Sequence, residues 1–174
     1  LTSCDKIMVS FAAASSNPQT PVVYPLSVQY TVHPPAGGAP VIYNQVITQG
    51  EAASAQMSQL INYYNDPYII DIQVTDICGT TYQLNNTVIN RKMAAEGSLA
   101  EGYCGYNMLS VNCENLMPPF TVNFTNAPAG FSAAQYNSIY PGPFSGSSVL
   151  FGTENNPVPL GNYSFTVTDA CGRT

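Results

Sequence analysis

The sequence predicts an all-β protein built from two tandem antiparallel β-sandwich repeats. Three observations predict it: short runs in which apolar and polar residues alternate, turn-forming clusters between those runs, and one order of segments that occurs twice. Val74–Gly79 and Val167–Gly172 share the pattern V-T-D-x-C-G and lie 93 residues apart (74 to 167). The same spacing carries Pro35-Ala36-Gly37 onto Pro128-Ala129-Gly130 and Tyr43-Asn44 onto Tyr136-Asn137. Upstream, Leu26, Val28 and Tyr30 match Phe120, Val122 and Phe124, and Cys4 and Met8 match Cys104 and Met108. A period of this length marks a repeated structural module.

Each element follows from its pattern. Leu26, Val28, Tyr30 and Val32 alternate with Ser27, Gln29 and Thr31, as a half-buried strand requires. Ile70, Ile72 and Val74 repeat the pattern, as do Phe120, Val122 and Phe124, and Tyr163, Phe165 and Val167. Pro-Ala-Gly ends the second strand of each unit with a turn, since proline presets φ and glycine accepts a positive value. Gln49–Tyr64 has some helical propensity, but the matching stretch of unit 2 is too rich in Gly and Pro, so strand plus loop is expected in both. Thr81–Leu84 and Thr87–Ile89 read as the last strand of unit 1. The expected organisation is an immunoglobulin-like sandwich over 1–90, a linker over 91–102 that carries Arg91, Lys92, Glu96 and Glu101, and a second sandwich over 103–174. The second unit stops at Thr174, where its last strand should begin. Either the polypeptide runs on or another chain supplies that strand, and the first is expected.

Composition excludes several functions. Only 8% of the 174 residues are charged while 45% are hydrophobic, so there is material for a core and no disorder signature. Net charge is −6 with four Lys and Arg, too few to neutralise a nucleic-acid backbone. No apolar run approaches the ~18 residues of a membrane span, and no basic start followed by an apolar stretch reads as a signal peptide.

Catalytic constellations are missing too. His33, the single histidine, precedes Pro34-Pro35 and reads as a solvent-facing turn residue, with no G-x-S-x-G context around any serine. Asp66, Asp71 and Asp76 are five apart, which puts neighbours on opposite faces of a strand. Only Asp76 recurs, as Asp169. Both are expected to cap a turn, and Ca²⁺ ligation there is the weaker alternative because no D-x-D-x-D cluster accompanies them. No other cofactor is expected. Tyr63, Tyr64 and Tyr68 stand near Asn62, Asn65 and Asp66, a mix suited to stacking on sugar rings, so they are the candidate glycan-binding residues. Tyr163 reads as a structural corner tyrosine. Sequons at Asn85, Asn123 and Asn162 carry little weight in so Asn- and Thr-rich a chain.

The five cysteines imply an oxidising, extracellular setting. Cys4 with Cys78 and Cys104 with Cys171 is the simplest pairing, one bridge per unit, each closing a long loop for roughly 4 kcal/mol. Cys104–Cys113 and Cys78–Cys104 remain open as rivals.

The stretch Pro-Leu-Gly-Asn-Tyr-Ser-Phe-Thr-Val-Thr-Asp-Ala-Cys-Gly at 159–172 resembles the closing strands of polycystic-kidney-disease-type and related Ig-like repeats. With its cysteine it also resembles the tandem repeats of giant cell-surface proteins of gliding Bacteroidota, the gliding-motility adhesins exported by type IX secretion among them. The resemblance implies a non-enzymatic segment of an extracellular surface filament, without membrane insertion. Its partners would be adjacent repeats of the same polypeptide and surface polysaccharide or other cell-surface proteins. A carbohydrate-binding module pair and a subunit of a donor-strand polymer are the alternative expectations.

Overall fold

A computed structural model describes residues 1–14, 22–48, 54–101 and 107–174. The chain divides into two compact units, Leu1–Lys92 and Met93–Thr174. Both are all-β, with antiparallel sheets packed face to face, as the alternation predicts.

Unit 1 contains β1 (Lys6–Ala14), β2 (Leu26–His33), β3 (Val41–Ile47), β4 (Ser54–Asn62), β5 (Tyr68–Thr75) and β6 (Thr81–Ile89). β1 pairs with β4, and the other sheet runs β3-β2-β5-β6. Between the sheets lies one core, to which β2 contributes Leu26, Val28, Tyr30 and Val32 and β5 contributes Tyr68, Ile70, Ile72 and Val74. β1 and β4 close it with Ile7, Val9, Met57 and Ile61. Tyr30 is fully buried and satisfies its hydroxyl by donating to Gln45 Oε1 at 2.9 Å. A one-residue slip of β2 would turn its four core side chains to water. At about 1.5–3 kcal/mol each, that is comparable to the whole net stability of a domain, so the register is fixed.

Unit 2 contains β7 (Ala94–Glu101), β8 (Asn107–Glu114), β9 (Thr121–Asn126), the short helix α1 (Ala133–Tyr136), β10 (Ser148–Phe151) and β11 (Ser164–Thr168). Its sheets run β10-β8-β7 and β11-β9. The repeat holds at the level of register. Val28 faces Val74 and Tyr30 faces Ile72 in unit 1; Val122 faces Val167 and Phe124 faces Phe165 in unit 2. The matched Tyr-Asn pairs differ in setting, since Tyr43 lies on β3 whereas Tyr136 ends α1. Phe124 is the hub of the second core, with Phe131, Tyr140, Phe151, Tyr163 and Phe165 all within 6.2 Å of it by ring centroid. Gln49–Tyr64 holds a strand, β4, as expected in preference to a helix.

The expected linker over 91–102 is a correction. Ala94–Glu101 is β7, paired residue by residue with β8 from Ala94 opposite Glu114 to Glu101 opposite Asn107. It shows no alternation because most of its side chains are exposed and its residues are small. Gly97 explains part of that choice. A Cβ there would lie 2.7 Å from Cε1 of Phe165, so the ring from the facing sheet rests against bare backbone. Gly97→Ala is expected to destabilise unit 2 by about 1–2 kcal/mol, measured by urea unfolding, and Phe165→Leu in the same chain should remove most of that penalty.

Candidate functional site

The recurring V-T-D-x-C-G segment forms the same turn in both units. In unit 1 the Asp76 amide donates to the Thr80 carbonyl at 3.0 Å and the Gly79 amide to the Asp76 carbonyl at 3.0 Å. In unit 2 the Asp169 amide donates to the Arg173 carbonyl at 3.0 Å and the Gly172 amide to the Asp169 carbonyl at 2.9 Å. Gly79 and Gly172 have φ of 81° and 73°, the left-handed values that made glycine necessary at this place.

The aspartates serve these turns unequally. Asp76 Oδ1 accepts one backbone bond, from the Thr80 amide at 2.8 Å. Asp169 is buried, and both of its oxygens are filled. Oδ1 accepts from the amides of Cys171 (2.9 Å) and Arg173 (3.0 Å). Oδ2 accepts from the Met117 amide at 3.0 Å, from Arg173 Nε at 2.9 Å and from Arg173 Nη2. Burial works against its charge, but the Arg173 guanidinium and the amides of Met117, Arg173 and Cys171 hold the carboxyl below the usual carboxylate range. A carboxylate with five N–H donors has no lone pair to offer a cation, so at Asp169 the geometry is that of a turn cap and not of a Ca²⁺ ligand. Among the described residues, no three His, Cys, Asp or Glu side chains gather as a metal site.

The cysteines depart from the expected pairing. Cys4 and Cys171 are disulfide-bonded, whereas Cys78 and Cys113 are free thiols. The Cys4–Cys78 bridge is therefore not formed, nor is Cys104–Cys113 or Cys78–Cys104. The physical reason lies in the turn: Cys78 sits at the exposed tip of the β5–β6 hairpin, which presents its side chain to solvent. Cys104 lies outside the described residues. Cys113 belongs to the core of unit 2, where burial pushes its thiol pKa up and lowers its reactivity.

The tyrosines proposed for glycan contact come together at one end of unit 1, and most are engaged with their own chain. Tyr63 donates its hydroxyl to the Arg91 carbonyl at 2.9 Å and lies 3.2 Å from Asn65 Oδ1. Tyr64 meets Tyr68 edge-on, with centroids 5.1 Å apart. Asn62 links its neighbours: its amide donates to Tyr43 Oη at 3.1 Å, and its Oδ1 accepts from Lys6 Nζ. Tyr68 heads β5, and its hydroxyl is buried without a hydrogen-bond partner; burial first, then the nearby Tyr63, Tyr64 and Tyr43, pushes its pKa up to about 12. Tyr163 fulfils the structural role expected of it by donating to the Pro159 carbonyl four residues upstream.

Sequence reasoning missed one contact. His33 Nε2 lies 2.8 Å from Asp71 Oδ2, and Asp71 Oδ1 accepts from the Asn86 amide at 2.7 Å. Asn86 has φ of 59° and sits where the β5–β6 ladder shifts register between Ile70 and Ile72. The carboxylate thus pairs an amide that the bulge leaves without its usual partner. The Asn86 amide, then His33, holds the Asp71 carboxyl below its ordinary value. No protein-family model, curated protein or solved structure matches this chain.

Because the Asp71 and Asp169 pKa values are lowered on folding, the stability they supply is present above the unfolded carboxylate value, 3.8, and is lost as pH falls through the folded ones. Asp169→Ala is expected to cost unit 2 about 3 kcal/mol, as for a broken buried pair, against about 1 kcal/mol for Asp76→Ala in unit 1. Asp169→Asn should flatten the acid limb of unit 2 unfolding, read by hydrogen exchange across pH 2–6, a range of about two units either side of the carboxylate value.

Proposed function

We propose that this chain is a non-enzymatic repeat segment of a large extracellular adhesin or surface filament, a disulfide-stabilised spacer and adhesive module in cell-surface attachment or gliding. One observation carries the reading: two compact units repeat the same strand pair and the same aspartate-capped turn in the same register. Repetition of a rigid element without repetition of a reactive one suits a protein that spans distance and presents surfaces. The disulfide-bonded Cys4 and Cys171 favour an oxidising compartment. Adjacent repeats are the nearest partners, and polysaccharide or other surface proteins the outward ones. Antibodies raised against this chain should label intact, unpermeabilised cells and detect a native polypeptide far larger than 18.6 kDa; a native protein of that size confined inside the cell overturns the reading.

A pair of carbohydrate-binding modules is the second reading. Tyr63 and Tyr64 support it by remaining half-exposed beside exposed Asn65 and Asp66. If it holds, a glycan array gives a hit that Tyr64→Ala weakens at least tenfold, about 1.4 kcal/mol of binding free energy, while Tyr63→Ala, which also frees the Arg91 carbonyl, lowers thermal stability. Binding unchanged by both substitutions removes this reading.

A further inference from the structure

β11 corresponds to β5, which is an interior strand with β2 on one side and β6 on the other. Among the described residues β11 is paired with β9 alone. The turn after β11 nevertheless delivers the chain as the turn after β5 does. Thr75 Oγ1 lies 3.3 Å from Thr81 Oγ1 across the first hairpin, and Thr168 Oγ1 lies 3.1 Å from Thr174 Oγ1 across the second. Thr174 therefore stands where the first residue of β6 stands, in register for a strand beside β11.

The space that such a strand would line is present. Phe165 and Val167 of β11 face Ala94 and Ala95 of β7 across a groove of about 230 Å³, bounded also by Met93 and Leu116. None of the side chains lining it is charged. In unit 1 the corresponding places opposite Ile72 and Val74 are taken by Leu84 and Tyr82, on a strand, TYQLNNTVI, that is itself uncharged. An interior strand with one open edge, next to an apolar groove, is a template for strand addition.

We propose that the open edge of β11 is an acceptor site for one antiparallel strand of another polypeptide, an uncharged segment with apolar side chains at two alternate positions that enter the groove beside Phe165 and Val167. Backbone bonds to β11 supply the attachment. The alternation sets the register, because a slip of one residue would place polar side chains in the groove. The proposal goes beyond the filament reading and stands on the geometry of unit 2 alone, so cell localisation and strand binding succeed or fail separately.

The test uses the full chain and a fluorescent nine-residue peptide of the β6 sequence, TYQLNNTVI. Anisotropy should show saturable binding, and amide exchange should slow within 164–168 on binding. A peptide with Asp in place of its Tyr and Leu should bind at least tenfold more weakly. Two further peptides, N-methylated at alternate amides in opposite phase, read the backbone bonds without altering the protein. One phase should lose binding at least tenfold and the other should keep it, since only alternate amides of a strand point toward its neighbour. No saturable binding up to millimolar peptide, equal binding by both N-methylated peptides, or protection that appears outside 164–168 each overturns the proposal.

Discussion

The antiparallel contact of the two central strands of each unit governs the rest of the structure. Where Val28 meets Val74 and Val122 meets Val167, both side chains of each pair are buried, and every other strand is placed by that choice. The period-two pleat puts the neighbours at i±2 on the same buried face. Tyr30 with Ile72, and Phe124 with Phe165, therefore follow without further specification. The facing sheet has to cover this one stripe, and it does so in unit 1 with β1 and β4 and in unit 2 with β8 and β10. Burial of the stripe, not charge, holds the modules together: among the described residues there are two ion pairs.

Differences between the units follow from how each completes that common pair. Unit 1 adds β3 and β6 on either side and so makes a four-stranded sheet. Unit 2 replaces β3 with turns and a one-turn helix, and fills the space with aromatic rings gathered on Phe124. Its Tyr163 hydroxyl and its glycines at positions of close approach, Gly97 against Phe165 and Gly161 against Pro128, let those rings and loops pack where a regular strand is absent. The second module is an alternative packing solution around the same pair, which is why similarity fades between the shared turn and the shared strand.

That division explains what could be read from the sequence. Alternation exposed β2, β5, β9 and β11 because one face of each is buried and the other wet, and the duplicated aspartate pointed to a turn because Asp, Gly and a fixed spacing have a local physical meaning. β7 was not legible. An edge strand of small residues, mostly exposed, carries no period, and its pairing depends on Phe165, which is 68 positions from Gly97 (97 to 165). The His33–Asp71 contact needed the register first: Asp71 faces Thr31, which makes His33 its diagonal neighbour on the same face of the sheet. Cysteine connectivity is worse still, because it depends on where turn tips point. The sugar-binding appearance of Tyr63, Tyr64 and Tyr68 came from composition, which does not reveal that Tyr63 caps the Arg91 carbonyl.

The few charges are spent where the strand ladders break. Asp71 takes the amide that the bulge at Asn86 leaves over, and Asp169 takes three amides, two from its own turn and one from Met117. Each carboxylate is then balanced by one cationic side chain, His33 or Arg173. Backbone donors at a bulge or turn need an acceptor that strands cannot provide, and an ionised carboxylate is a stronger acceptor than a hydroxyl or amide. A chain with 8% charged residues can thus keep its sheets nearly neutral and still satisfy its irregular backbone. The same economy leaves the edges of its sheets without the lysines that commonly discourage strand addition, so whether another strand pairs there is decided by shape and alternation rather than by repulsion.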